Sequence, residues 1–316
     1  MKTVVIGGSG HIGSYLIPML VNAGYEVVNV TRGSSTPYFE DRAWKKVTSV
    51  TMDRNDPMFE EILQKLNADI VVDLVCFNLE QTRRMTEILK KTDCIHYLFC
   101  SSAWEHGLAR YLPYRPEEAR KMPIDEYGRH KLESAQYLRE LYRKEGFPVT
   151  IIMPGHISGP GWNIIGPWAN TMLRPFQIIA DGEELKLPNL GMETLNHVYA
   201  GDVAQCFFKS IICRKQALGR SFHATSGQAL TLYGYACTLY EHFGYEPAVT
   251  FLPWLQWCDY VGDPDECMTS YCHIARSGYY GIEEAQRLID YHPKYTSEET
   301  VRMAADSYIA RGLIKV

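Results

Sequence analysis

Apolar positions in the first half of the chain fall into short runs separated by helical stripes. Thr3–Ile6, Glu26–Val30, Lys46–Met52, Asp69–Val75, Ile95–Cys100 and Pro148–Met153 read as buried strands. They are brief, rich in β-branched or aromatic residues and bounded by polar or glycine positions. Between them, apolar residues recur every three or four positions. That period predicts helices over Ile12–Ala23, Asp56–Asn67, Leu79–Lys91 and Asp125–Lys144. Gly24 ends the first helix, in which Pro18 sits awkwardly, and Asp56-Pro57 gives the second a cap and a first-turn proline. This alternation predicts a doubly wound parallel α/β sheet, with ligand-facing loops at the carboxyl ends of the strands.

After Met153 the pattern breaks. Pro154–Leu195 is rich in Pro, Gly, Trp and Asn, with one helical piece over Pro167–Ala180. His197–Arg214 reads as strand then helix, and Ser221–Ala224 as a short strand. Thr231–Phe243, Glu283–Ile289 and Ser297–Arg311 read as helices, with a strand over Ala248–Leu252.

The first strand runs into Gly7-Gly8-Ser9-Gly10-His11-Ile12-Gly13, and a helix follows at once. A dinucleotide's pyrophosphate needs backbone N–H groups aimed at it and no Cβ in the way. Gly7 permits the turn, Gly10 the approach of the phosphates, and Gly13 the close packing of the helix. Ser9, His11 and Ile12 lie in the same loop. We therefore expect a Rossmann-type dinucleotide-binding domain from residues 1–154 and about 196–226. A smaller interleaved substrate-binding region takes about 155–195 and 227–316. The second strand ends at Thr31-Arg32, with a base where NAD-binding chains carry an acid. A guanidinium suits a 2′-phosphate, so NADP is favoured over NAD. Asp53, after the third strand, is placed to meet the adenine amino group.

Tyr127 and Lys131 are four apart and share a helix face. A tyrosine hydroxyl titrates near ~10, so proton exchange at neutral pH needs about 4 kcal/mol of differential stabilisation. A neighbouring ammonium and a cationic nicotinamide can supply it. Ser101 and Ser102 close the fifth strand, where a hydroxyl faces the ligand crevice. The glycine loop, the serine and the Tyr/Lys pair follow one another in the order a redox site needs.

Together these residues resemble the extended branch of the short-chain dehydrogenase/reductase superfamily, of the NAD-dependent epimerase/dehydratase type. Ser101-Ser102-Ala103-Trp104-Glu105-His106-Gly107 is similar to its Ser-Ser-x-x-x-Tyr-Gly segment, with His106 for the tyrosine. Tyr127 and Lys131 match its Tyr-x-x-x-Lys. Asn196–Ala204 resembles its His-Val-x-Asp-Val-Ala unit, and Ile289–Tyr295 its Leu-Gly-Tyr-x-Pro signature. The resemblance implies catalytic Ser102, Tyr127 and Lys131, with Lys131 also holding the nicotinamide ribose. It implies action on a sugar or sugar-derived alcohol or ketone, by net redox or by internal epimerisation. The alternatives are an NADPH-dependent reductase of a non-sugar carbonyl and a non-catalytic dinucleotide-binding regulator. Ala103 and Trp104 stand where dehydratase members carry an acid pair, which disfavours 4,6-dehydration. Met153-Pro154-Gly155-His156 lacks the arginine and asparagine usual in sugar-nucleotide members. Asn78, His156, Trp162, Asn163, His197 and Tyr199 are expected to line the substrate pocket, on loops converging over the nicotinamide. By the same resemblance two copies pair through Leu79–Lys91 and Asp125–Lys144.

The 316 residues carry a net charge of −5 with no basic stripe, which argues against a nucleic-acid partner. Nine scattered cysteines without a CxxC pair point to reduced thiols and a cytoplasmic setting. No targeting segment, metal-ligand spacing or apolar run of ~18 residues is visible, so neither metal nor membrane is expected.

Overall fold

Residues 1–118 and 120–316 are described by a computed structural model. Strand β1 (Lys2–Ile6) lies inside the main sheet and alternates between two cores. Val5 packs with Leu16, Phe207 and Ile289 on one face, while Val4 and Ile6 pack with Met85 and Leu138 on the other. Helix α1 (His11–Asn22) leads to β2 (Glu26–Thr31) and β3 (Thr48–Thr51). Then follow α2 (Phe59–Leu66), β4 (Ile70–Asp73), α3 (Leu79–Leu89), β5 (His96–Cys100), α4 (Glu126–Glu145) and β6 (Val149–Pro154).

Beyond β6 come β7 (His156–Ser158), α5 (Arg174–Ala180), β8 (Leu185–Pro188), β9 (Thr194–Leu195) and β10 (His197–Tyr199). The chain continues through α6 (Ala200–Ile212), α7 (Arg214–Ala217), β11 (Ser221–Ala224), β12 (Leu230–Thr231), α8 (Leu232–Phe243) and β13 (Val249–Leu252). It ends with α9 (Trp254–Val261), α10 (Pro264–Ile274), α11 (Glu283–Ile289) and α12 (Ser297–Ala310).

The main sheet runs β3-β2-β1-β4-β5-β6-β11, all parallel. Its strand order reverses between β1 and β4, and such a reversal opens a ligand crevice at the carboxyl ends. Helices α1, α6 and α11 cover one face; α2, α3 and α4 cover the other. The later elements build a separate core around Trp168, Phe176, Tyr235, Trp257 and Tyr308. There β7 pairs with β10, β9 with β12 and β8 with β13, outside the main sheet.

Several expected boundaries shift for local reasons. Helix α2 starts at Phe59 because the Asp56 carboxylate accepts the Met58 N–H and closes a turn first. Lys46 belongs to a 3-10 turn capped by Asp41, not to β3. Helix α5 begins only at Arg174, since Ala169 has φ 57° and Gly166 N–H bonds Asn170 O. Helices α9 and α10 were not expected at all.

Candidate active site

Gly7 turns the chain at φ +83°, and a Cβ there would meet Val75 Cγ1 at 2.6 Å. Gly13 is pressed onto Gly8, two residues past the end of β1. A Cβ on it would strike Gly8 backbone atoms at 2.2–2.5 Å, so the helix sits on its own loop. Asn29 holds this loop by accepting Gly8 N–H at 3.1 Å and donating to Ser9 Oγ at 3.1 Å. Helix α1 is capped by Gly10, with no side-chain cap. The first-turn N–H groups at His11 and Ile12 are thus left for an anion. This cradle fits a pyrophosphate.

Two cavities share Gly7, Gly10, Val75 and Phe77 and form the ends of one cleft. The first, about 320 Å³, is lined by Arg32, Ser34, Ser35 and Asp53, among others. Arg32 is exposed at its rim, and Asp53 accepts the Asn55 N–H at 2.8 Å. Arg54 forms a fork onto buried Asp73 with two bonds of 3.1 Å, and also bonds Val75 O at 2.7 Å. Sequence reasoning missed this pair, which fastens the end of β4 beneath the cleft.

The second cavity, about 230 Å³, is lined by Ser102, Tyr127 and Lys131 together with Gly10 and His11. Ser102 Oγ accepts the Trp104 N–H at 3.2 Å, which leaves its O–H free to donate. Lys131 is buried, and its Nζ bonds Cys76 O and Cys100 O, each at 2.7 Å. That ties the ends of β4 and β5 and leaves one N–H. Burial lowers the Lys131 pKa, with Cys100, Cys76 and Asp73 opposing. The Tyr127 phenol is pushed up: desolvation is the largest cause, Cys100 and Asp125 add to it, and the Ser102 hydrogen bond opposes. Lys131 Nζ lies 5.6 Å from the Tyr127 ring centroid.

The turn after Ser102 is held from beneath. Glu105 is fully buried and receives Lys121 Nζ at 2.7 Å and Arg139 at 3.4 Å. Burial still draws Lys121 down to about 8. His106, in the family's tyrosine position, faces inward. His223 Nδ1 donates to Gly281 O, so His223 Nε2 must accept from His106 Nε2 at 2.8 Å.

None of the six expected substrate residues lines the cavity at Tyr127. Asn78 caps α3 by accepting Gln81 N–H at 2.9 Å. Trp162 is buried and stacks on His11, centroids 4.0 Å apart. Asn163 points outward and is exposed. His197 is fully buried and bonds Ser158 Oγ at 2.8 Å. Tyr199 packs edge-on against Tyr15. His156 uses both ring nitrogens internally: Nδ1 accepts Asn196 N–H at 3.1 Å, so Nε2 donates to His273 Nδ1 at 2.9 Å. The loops converge, but Asn78 and His156 spend their polar atoms on neighbours, while Trp162 Nε1 and His197 Nε2 are buried without a partner. His11 likewise leans on Trp162 and Tyr38, and burial lowers its pKa to about 4. Trp104 lies edge-on to Tyr127, ring centroids 6.0 Å apart, and also packs on His273 at 4.7 Å; neither Trp104 nor His273 was expected here. Among the described residues no group of three His, Cys, Asp or Glu side chains is set to hold a metal ion, and no helix is long and apolar enough to cross a membrane.

Comparison with known proteins places this geometry. The chain is 27% identical over 250 residues to the chloroplast stem-loop binding protein of 41 kDa b of Arabidopsis thaliana. That match covers 74% of this chain and 61% of the relative. It is 26% identical over 172 residues to UDP-glucose 4-epimerase of Mus musculus, covering 46% of this chain and 50% of that one. The chain thus spans only part of the length of these relatives. Its fold is like that of UDP-glucose 4-epimerase of Thermotoga maritima, solved with UDP-glucose. The TM-score is 0.75 at 19% identity, covering 98% of this chain and 99% of that one. The sequence pattern of the NAD dependent epimerase/dehydratase family matches residues 3–216. With that share of its length matched, and with the glycine loop and the Tyr/Lys pair inside it, the chain belongs to the NAD dependent epimerase/dehydratase family.

Proposed function

We propose that this chain is an NAD(P)-dependent oxidoreductase or epimerase acting on a sugar or sugar-derived alcohol or ketone. The observation that supports it is a single cavity wall. Ser102 at the end of β5, and Tyr127 and Lys131 one turn apart on α4, line the space that the glycine loop also borders. A bound nicotinamide supplies a hydride acceptor and a positive charge. Tyr127 Oη takes the proton from the reacting hydroxyl or returns it. Ser102 Oγ donates its hydrogen to the reacting oxygen. Lys131 offers its remaining N–H to the cofactor ribose and adds positive charge beside the phenol. Desolvation holds Tyr127 high, so its activation depends on charges brought in at the cleft.

The cofactor in this reading is NADP, because Arg32, Ser34 and Ser35 line the cavity end and no acid stands at the tip of β2. Elimination of water is not part of the reading: Ala103 and Trp104 follow Ser102, and Glu105 is ion-paired in the interior. Pairing of two copies through α3 and α4 would be a polar contact, since Lys90 there holds Glu87 and Glu145.

The test is Tyr127→Phe, assayed for hydride exchange with NADP or NAD against a panel of aldoses, polyols and ketoses. Turnover should fall by about 10²–10⁴-fold with cofactor affinity unchanged. Full turnover in the variant would sink the proposal. A second reading draws on the Arabidopsis relative, whose name is that of a stem-loop binding protein. A non-catalytic dinucleotide-binding regulator would show no hydride exchange, and any RNA-hairpin binding would survive Tyr127→Phe. The net charge of −5 weighs against that reading.

A further inference from the structure

Just past the end of α10, Arg276 turns back into the protein and is 3% exposed. Its guanidinium carbon lies 3.5 Å from the centroid of the Trp104 ring. One terminal nitrogen pairs with the Asp125 carboxylate, and the other bonds Cys272 O in the last turn of α10. Its Nε–H is buried without a partner. Trp104 lies two residues after Ser102 and donates its N–H to that hydroxyl. Asp125 lies two residues before Tyr127 and caps α4 by accepting the Gly128 N–H at 2.6 Å. Gly128 tightens the same junction, because a Cβ there would fall 2.6 Å from Trp104 O. One side chain from the C-terminal region therefore grips both the turn that carries Ser102 and the helix that carries Tyr127.

A buried guanidinium is costly to desolvate, and filling space beside a tryptophan needs no charge. We propose that Arg276 is a positioning residue, which holds Tyr127 in register with Ser102 by stacking on Trp104 and pairing with Asp125. The inference rests on the reading of Ser102 and Tyr127 as the proton-transfer pair. It has an electrostatic consequence. The Asp125 charge raises the Tyr127 pKa, and Arg276 offsets that charge. Tyr127 also faces Cys100, the Ser102 hydroxyl and Lys131. Around Arg276 stand His156, His273, Tyr114 and Tyr280; burial and the guanidinium keep the two histidines neutral. Above about pH 6 neither histidine therefore holds a proton to release.

The test places 3-fluorotyrosine at position 127 of the full chain and follows its fluorine NMR signal with saturating NADP. Arg276→Met should move the titration midpoint up by roughly half to one pH unit. Arg276→Lys should restore most of it. Asp125→Asn, which keeps a good helix cap, should move the midpoint down. A strut with no such role would lower thermal stability and leave the titration where it was. Identical midpoints in wild type, Arg276→Met and Asp125→Asn overturn the proposal, as does a signal that titrates in none of them below about pH 11. If Arg276→Met does not fold, Asp125→Asn decides alone. The titration needs no substrate, so failure of the sugar reading would show as absent turnover with these shifts intact.

Discussion

The loop Gly7–Gly13 and the region that closes over it border the same cleft by opposite means. The loop works with backbone: a helix start with no side-chain cap, a turn at positive φ, and Gly13 pressed onto Gly8 where no side chain fits. The covering region works with large side chains that pack on one another. Trp162 lies on His11, His156 bonds His273, and Arg276 rests on Trp104. Backbone contacts of the first kind fail when one atom is added. Side-chain contacts of the second kind fail when their charge state changes.

The largest expected effect follows from that second weakness. His156 is neutral in the fold, with a pKa lowered to about 4 by burial. Unfolded histidine titrates near ~6.5, so between pH 6.5 and 4 the unfolded chain takes up protons that the fold refuses. Stability should fall as pH drops through that window, by about 3 kcal/mol for His156 at its lower end. Denaturant midpoints read from tryptophan fluorescence at pH 7, 5.5 and 4.5 check this. A flat profile would mean that the covering region does not depend on neutral histidines.

The loop is tested by Gly13→Ala. Its Cβ meets backbone rather than a flexible side chain, so about 1–3 kcal/mol of stability should be lost. Calorimetry should show cofactor affinity falling with it; unchanged binding would break the contrast between the two regions. The smallest effect is expected at Arg32, exposed on the rim. Arg32→Ala should weaken NADP by about tenfold, or 1.4 kcal/mol, and leave NAD unaffected. Equal losses for both cofactors would remove the case for a 2′-phosphate contact.

Most of the first half of the fold was legible because its signals are local. Strands and helices up to β6 follow from apolar spacing, and Tyr127 and Lys131 share a face because they are four apart. The later half was less legible. Helix α9 is short, and the start of α10 repeats the Asp-Pro pattern already read at Asp56-Pro57. At Asp263-Pro264 that pattern does cap a helix; at Asp56-Pro57 it closes a turn before one. The six expected substrate side chains were chosen by position in the chain, which says nothing about whether a neighbour already occupies their polar atoms.

By itself the sequence determined the alternation of strands and helices, the glycine loop and the shared helix face of Tyr127 and Lys131, since each depends on residues close together along the chain. Only the tertiary structure decided what surrounds them. Arg276 reaches Asp125 across 151 positions, and His156 reaches His273 across 117. Pairings at such separations come from how the covering region packs on the sheet, and no local pattern of spacing or polarity encodes them.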